Sequence, residues 1–230
     1  MAADKQTPAA GPDAPSAAPL PPADGRPVNT RALLILAAAV AAIALVAWMM
    51  VSSGRRKEEF ATRELIRARA IAEQGNLPLA ATELQKIIDT YGGTEAAAEA
   101  MVAINQLRLI NGQSDLAAVS LREFLASNPA PKYRAPAEGL LAASLENAGQ
   151  HAEAAAAYRR ASEAATVDYL KAEYLVDAGR ALRNAGQPAE AEAAYRTVVT
   201  DFSETPSLTE AEVRLSEMTG GTLAPPAAGS

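Results

Sequence analysis

The chain has 230 residues, a formal net charge of -6 at pH 7, one histidine and no cysteine. The absence of cysteine excludes disulfides, thiolate metal sites, a cysteine nucleophile and the lipid-modified cysteine of an outer-membrane lipoprotein. Aromatic residues make up only 4% of a chain that is 49% hydrophobic, which favours close contacts between alanine- and leucine-rich helices over sheets. The acidic balance argues against nucleic acid as the main partner.

The first 30 residues are rich in proline and show no apolar periodicity. Seven of the chain's 15 prolines fall before Thr30. Such a stretch cannot bury enough apolar surface to offset the entropy lost on ordering. We therefore expect residues 1–30 to form a disordered Pro/Ala-rich tail, and residues 222–230, which contain two further prolines, to form a second one.

An apolar stretch without charge runs from Ala32 to Val51, between Arg31 and Arg55. At about 1.5 Å per helical residue, this stretch reaches about 30 Å, the thickness of the hydrocarbon core of a bilayer. A core helix of a soluble protein would carry a polar face, and this stretch has none. Its length and the long leader before it favour an uncleaved signal anchor over a cleaved signal peptide. We predict a transmembrane helix over residues 31–54, with residues 32–51 inside the membrane.

The rest of the chain repeats itself with a period of 37 residues. The period is marked by four glycines: Gly75, Gly112, Gly149 and Gly186. Each glycine is followed at once by Asn or Gln, five residues later by Ala, and nine residues later by Leu or Tyr. A fixed period of this length indicates a solenoid of stacked units. Glycine suits the left-handed residue that ends a helix, and the later columns share one face of a second helix.

This pattern predicts the fold class: an all-α solenoid of about four helical hairpins over residues 55–221, closed by a C-terminal capping helix. Pro78 and Pro188 fall where second helices begin, a position at which proline costs no hydrogen bond. The last helix is expected to begin with a capping box formed by Ser207 and Glu210, and to end at Gly220.

The glycine–amide pair, the alanine five residues later and the leucine or aromatic residue four after that resemble the turn and second helix of the tetratricopeptide repeat (TPR) family. The first two units depart from the family at Arg67, Asn105 and Arg108, where the family has apolar or small residues. A tail, one span and a small repeat domain are also similar to the bacterial ancillary subunit of the Sec translocon, the YfgM type. The repeat domain is similar to that of periplasmic cell-division coordinators.

The two indications of membrane orientation disagree. The resemblance implies an inner-membrane protein with a cytoplasmic tail and a periplasmic repeat domain. However, six basic residues between Arg55 and Arg69 follow the span, against two on its other side, and the positive-inside rule then favours a cytoplasmic repeat domain. The sequence leaves the orientation open.

No catalytic, cofactor-binding or metal site is predicted. The single histidine, His151, follows the Gly149 turn without converging partners, and we expect it to be a solvated turn residue. The glycines are isolated helix terminators and form no phosphate-binding loop. We expect no enzyme activity, no cofactor and no small-molecule substrate.

The resemblance implies that the first helices of the hairpins line a concave groove. The family's groove positions fall on these residues of the chain: Arg69, Gln106, Leu109, Ile110, Asn147, Arg180, Arg183 and Asn184. Their basic, amide and apolar mixture suits an extended polypeptide better than a small ligand. We therefore expect a membrane-anchored protein–protein interaction adaptor that assists protein translocation or envelope assembly, with Sec translocon components among the candidate partners. The alternative is a self-associating structural or cell-division coordinator protein.

Overall fold

The computed structural model describes residues 30–220. The tails predicted for residues 1–30 and 222–230 lie outside the described residues, apart from Thr30. The chain divides into two compact units, residues 1–49 and residues 50–230, and each is described by itself. All secondary-structure elements between residues 30 and 220 are α-helices.

The described part of the first unit belongs to helix α1, Thr30–Glu73. This helix contains an 18-residue window with a mean hydropathy of 2.7, and none of that window is buried. Within the described part of the chain it is the one helix long and apolar enough to cross a membrane. Helix α1 continues without a break through Gly54, the predicted end of the anchor, and also supplies the first helix of the repeats.

The second unit is an all-α solenoid built from hairpins. Its remaining helices are α2 Leu77–Tyr91, α3 Glu95–Ile110, α4 Ser114–Ala126, α5 Pro131–Asn147, α6 His151–Ala164, α7 Asp168–Asn184, α8 Pro188–Asp201 and α9 Ser207–Thr219. The C-terminal part of α1 pairs with α2, and three further hairpins follow: α3 with α4, α5 with α6, and α7 with α8. The predicted number of hairpins and the predicted capping helix are both confirmed in this unit.

The first helix of every hairpin ends in the same backbone motif. All four glycines of the repeat have positive φ: +83° at Gly75, +72° at Gly112, +73° at Gly149 and +76° at Gly186. At the third turn the Gln150 N–H donates to the Leu145 carbonyl at 2.9 Å, and the Gly149 N–H donates to the Glu146 carbonyl at 3.0 Å. The other three turns make the equivalent two bonds. This is the Schellman motif, which needs a left-handed residue at the glycine.

The second helices bury the columns that the sequence spacing placed on one face. The alanines five residues after each glycine are completely buried: Ala80, Ala117, Ala154 and Ala191. The larger side chains four residues further on are buried as well: Leu84, Leu121, Tyr158 and Tyr195. Tyr195 lies against Gly179, where an added Cβ would come within 2.6 Å of the tyrosine ring. The small residue on the first helix and the large one on the second are therefore complementary.

The apolar core of the second unit consists of two clusters. One joins the repeat part of α1 to α2 and α3, and the other contains buried side chains of α4 to α9. Between them, where α3 contacts α2 and α4, lies a set of polar side chains that we call the polar seam: Gln85, Asn105, Arg108 and Ser120. Asn105 is completely buried; its Nδ2 donates to the Met101 carbonyl at 2.8 Å and to Ser120 Oγ at 3.3 Å.

Arg108 completes the polar seam. Its guanidinium donates to Asn105 Oδ1 at 3.0 Å and to Gln85 Oε1 at 3.3 Å. Two of the three residues that depart from the family pattern therefore hydrogen-bond to one another within α3, the first helix of the second hairpin.

The last helix caps the array, but its own first turn differs from the prediction. Helix α9 buries Ala211 and Leu215 in the larger apolar cluster and ends at Gly220, which has a φ of +65°. Pro206 is the residue before the helix, so Ser207 is already helical and forms no side-chain cap. The predicted capping box is therefore wrong, and Glu210 pairs with Arg214 at 3.5 Å instead.

Candidate functional site

The eight predicted groove residues all lie on the first helices of the hairpins. Arg69 lies on α1, three residues on α3, Asn147 on α5 and three on α7. The residues on α3 are Gln106, Leu109 and Ile110, and those on α7 are Arg180, Arg183 and Asn184. The predicted set therefore samples each first helix of the array in turn.

The three arginines of this set do not project free charge. Arg69 pairs with Glu99 of α3. Arg180 of α7 pairs with Glu146 of α5 at 2.9 Å. Each of these pairs joins one first helix to the next, so the positive charge expected for the groove is neutralised within the protein.

The third arginine makes the corresponding contact with the capping helix. Arg183 Nη1 lies 3.3 Å from Glu217 Oε2 of α9. The separation of 34 residues within this pair also occurs between Arg180 and Glu146. This separation is three residues, or about one helical turn, shorter than the repeat period of 37 residues. A search of the sequence for opposite charges 34 residues apart would therefore have found both pairs.

Arg180 is the centre of the most buried charged cluster on these helices. Its Nε and Nη2 donate to the two carboxylate oxygens of Glu146, at 3.1 and 2.9 Å. Its Nη1 donates to Asp177 Oδ1 at 2.6 Å. The hydroxyl of buried Tyr158 donates to Glu146 Oε2 at 3.2 Å. The two-pronged contact fixes the guanidinium plane and therefore the positions of α5 and α7 at this point.

The two carboxylates around Arg180 differ in their protonation equilibria. Burial alone would raise the pKa of Glu146, but its hydrogen bonds to Arg180 and Tyr158 outweigh burial and hold the pKa below its ordinary value. For Asp177 the effect of burial is larger than that of the neighbouring Arg180 guanidinium, and the pKa of Asp177 is raised. The hydrogen bonds to Glu146 raise the pKa of Arg180. Burial likewise raises the pKa of Tyr158, which therefore remains a neutral hydrogen-bond donor at pH 7.

The remaining groove residues are amide and apolar. Ile110 is 70% exposed, and Gln106, Asn147 and Asn184 are also exposed. The Asn147 side chain reaches back to Ser114 Oγ at 3.2 Å. Leu109 is partly buried and packs against the larger apolar cluster. The surface available to a partner is thus less basic than the sequence suggested.

The lone histidine differs from its prediction. His151 is the first residue of α6 and is half-buried, with Nδ1 buried and without a hydrogen-bond partner among residues 30–220. In that same range no three His, Asp or Glu side chains are grouped so that they could hold a metal ion.

A comparison with known protein families finds a match in the fourth hairpin. A family model described as Tetratricopeptide repeat matches residues 173–205, which include most of α7, the Gly186 turn and all of α8. No curated protein matches the chain. The matched repeat, together with the stack of similar hairpins before it, supports a tetratricopeptide-repeat protein.

Proposed function

We propose that the chain is a membrane-anchored adaptor that binds a protein partner on the first helices of its repeats. In this proposal residues 31–54 anchor the chain and residues 55–221 form the binding domain. The observation that carries it is the tetratricopeptide repeat match within a stack of hairpins of the same design. Such arrays present extended concave surfaces to partners.

The chemistry of the exposed groove residues favours an extended polypeptide as the ligand. The side-chain amides of Gln106, Asn147 and Asn184 can both donate to and accept from the backbone of such a chain. Ile110 offers an apolar contact beside them. The arginine pairs hold neighbouring first helices in place, so the surface is ordered before the partner arrives and the entropic cost of binding is lower.

We further propose that the protein resides in the bacterial inner membrane with its repeat domain in the periplasm, where it assists protein translocation or envelope assembly. This rests on the resemblance to ancillary Sec translocon subunits. Anchoring keeps even a weak groove at high effective concentration near a membrane-bound partner. A topology reporter fused after Ser230 tests the placement, because activity on the cytoplasmic side alone would overturn the periplasmic assignment.

The binding surface can be tested by photo-crosslinking from single positions in bacterial membranes. A photoreactive residue at Ile110 is expected to capture the partner. The matched control is Val119 on the second helix α4, which is 54% exposed and lies outside the groove. Capture of the same protein from both positions with equal yield would contradict a partner bound on the first helices.

A second experiment distinguishes a monomeric adaptor from a self-associating protein. The double variant Ile110→Asp with Asn147→Asp is expected to lose partner capture at least fivefold, whereas Val119→Asp keeps it. Sedimentation in detergent is expected to show a monomer. A stable homo-oligomer that captures only further copies of itself would replace the adaptor by the self-associating alternative.

A further inference from the structure

The second unit contains a series of clefts that recurs with the 37-residue period. The first cleft has a volume of about 430 Å³ and lies between α3 and the ends of α2 and α4; Ile88, Met101 and Ser127 line it. The second cleft has a volume of about 440 Å³, and the positions 37 residues on, Leu125, Glu138 and Ala164, line it. The two clefts are therefore equivalent places in successive repeats.

The linings of these two clefts differ in polarity. In the second cleft Arg160 pairs with Glu138 at 2.9 Å, so charged side chains line the space. The first cleft has Met101 at the equivalent of Glu138, and Phe124 and Ala98 beside it. Its lining is mainly apolar, which makes it a site for an apolar ligand.

The mouth of the first cleft, formed by Gly92 and Glu95, is hydrogen-bonded to the start of the repeat domain on α1. Lys57 Nζ donates to the Gly92 carbonyl at 2.8 Å. The Glu58 carboxylate accepts from the backbone N–H groups of Glu95 and Ala96 at 2.9 and 3.0 Å. Gly92 and Glu95 both line the cleft. Lys57 follows Val51, the last residue of the apolar stretch, by six residues of continuous helix, or about 9 Å.

Charged groups surround this mouth. Lys132 Nζ lies 3.0 Å from Glu95 Oε1 and 5.0 Å from the Tyr133 ring centroid. Lys57 donates to a neutral carbonyl and forms no ion pair with a carboxylate of residues 30–220, while Glu58 compensates the positive end of α3. The mouth therefore favours an anionic group next to the apolar cleft.

We propose that the first cleft binds one acyl chain of an anionic phospholipid, with the headgroup phosphate held by Lys57 and Lys132. The inference rests on the proposed membrane anchor, which brings the mouth of the cleft to the headgroup layer. Lysine side chains at this depth place their ammonium groups among lipid phosphates. A lipid is favoured over a peptide because Lys57, which hydrogen-bonds to the lining residue Gly92, follows the last residue of the apolar stretch by only six residues.

The test uses the full chain in nanodiscs that contain phosphatidylglycerol with a diazirine near the end of one acyl chain. After irradiation and digestion, adducts are expected in the peptides around Met101 and Phe124 as well as within Leu33–Val51. Labelling confined to Leu33–Val51 would overturn the cleft site and leave the anchor standing. No labelling of Leu33–Val51 would overturn the anchor and, with it, the cleft site.

Matched variants decide whether the labelled place is the cleft. Ser127→Phe fills the first cleft and is expected to lower its adduct yield at least fivefold. Ala164→Phe, which places a phenylalanine at the equivalent position 37 residues on, is expected to leave that yield unchanged. Equal yields in the two variants would overturn the proposal. Ala98→Leu fills the cleft from the α3 side and provides the same test should Ser127→Phe lower the helical circular dichroism signal.

The headgroup assignment has its own test. The same acyl probe on phosphatidylcholine is expected to label the cleft several-fold less than on phosphatidylglycerol. The double variant Lys57→Gln with Lys132→Gln is expected to remove this difference. An unchanged preference for the anionic lipid in the double variant would overturn the role of the two lysines.

Discussion

Removing the guanidinium of Arg180 should destabilise the repeat domain far more than removing an exposed arginine. Arg180→Met keeps the aliphatic stem but leaves the Glu146 and Asp177 carboxylates without their common partner. The side chains of Glu146 and Asp177 are only 18% and 24% exposed. Breaking a fully buried ion pair costs roughly 3–5 kcal/mol, and because Arg180 itself is 35% exposed we expect a smaller loss of about 2 kcal/mol.

The assay is thermal unfolding of the full chain in detergent, followed by far-ultraviolet circular dichroism. For a domain of this size, a loss of about 2 kcal/mol lowers Tm by about 4–8 °C. The control is Arg122→Met, since the pair of Arg122 with Glu153 is largely exposed, at 51% and 64%, and such pairs contribute about 0–1 kcal/mol. Equal Tm changes in the two variants would refute the view that Arg180 locks α5 to α7.

The pH dependence distinguishes the two carboxylates beside Arg180. The pKa of Glu146 is lowered by folding, so its contribution is present above the ordinary value of 4.5 and is lost as the pH falls through the lower folded value. The pKa of Asp177 is raised, so its ionised form opposes folding and protonation relieves this. We expect Glu146→Gln to destabilise at pH 7 by more than Asp177→Asn, and the destabilisation by Glu146→Gln to shrink towards pH 3. The reverse order at pH 7 would contradict this assignment.

Two further predictions concern the cores. Gly179→Ala should destabilise the domain by about 1–3 kcal/mol through overpacking, because the new Cβ would lie 2.6 Å from the Tyr195 ring. The control Gly54→Ala, whose new Cβ would have nothing within 4 Å, should cause no loss of stability. Equal Tm values for the two variants would contradict this. Asn105→Ala should cost about 1–3 kcal/mol of stability because it leaves Ser120 and Arg108 each without one of their hydrogen-bond partners. Combining it with Arg108→Met should cost less than the sum of the two single changes. Additive Tm changes would show that the two side chains act independently.

The parts of the fold that the sequence predicts well are those governed by local rules. A glycine at a fixed place in each unit needs only its own φ to end a helix, and the alanine five residues later needs only one close helix partner. Gly149 and Ala154 show both in the third hairpin, and the other hairpins repeat them. The capping box predicted at Ser207 depended on the residue at which the helix begins. Pro206 is the residue before the helix and Ser207 is already helical, so the helix begins one residue earlier than the side-chain pattern suggested.

The charges of the candidate site were harder to predict because their partners lie on other helices. The family pattern identifies Arg180 and Arg183 as groove positions but contains no information on the acids that face them. Glu146 and Glu217 become their partners because α7 packs against α5 on one side and against the capping helix α9 on the other, which sets the 34-residue separation. A column-by-column comparison with the family therefore identifies positions on the first helices but not the acids that neutralise their charges.

The polar seam shows how one unit accommodates a departure from the repeat pattern. Asn105 occupies the position that Gly179 holds two repeats later, where a small residue admits the large side chain of the second helix. A buried amide there needs hydrogen-bond partners, and Ser120 and Arg108 supply them at the α3–α4 contact. Met101, whose carbonyl accepts from Asn105, also lines the first cleft, so the departure from the repeat reaches the lining of that cleft. The second cleft, of about 440 Å³, lies away from the seam, so the clefts themselves follow from the geometry of the repeat and the seam changes only what lines one of them.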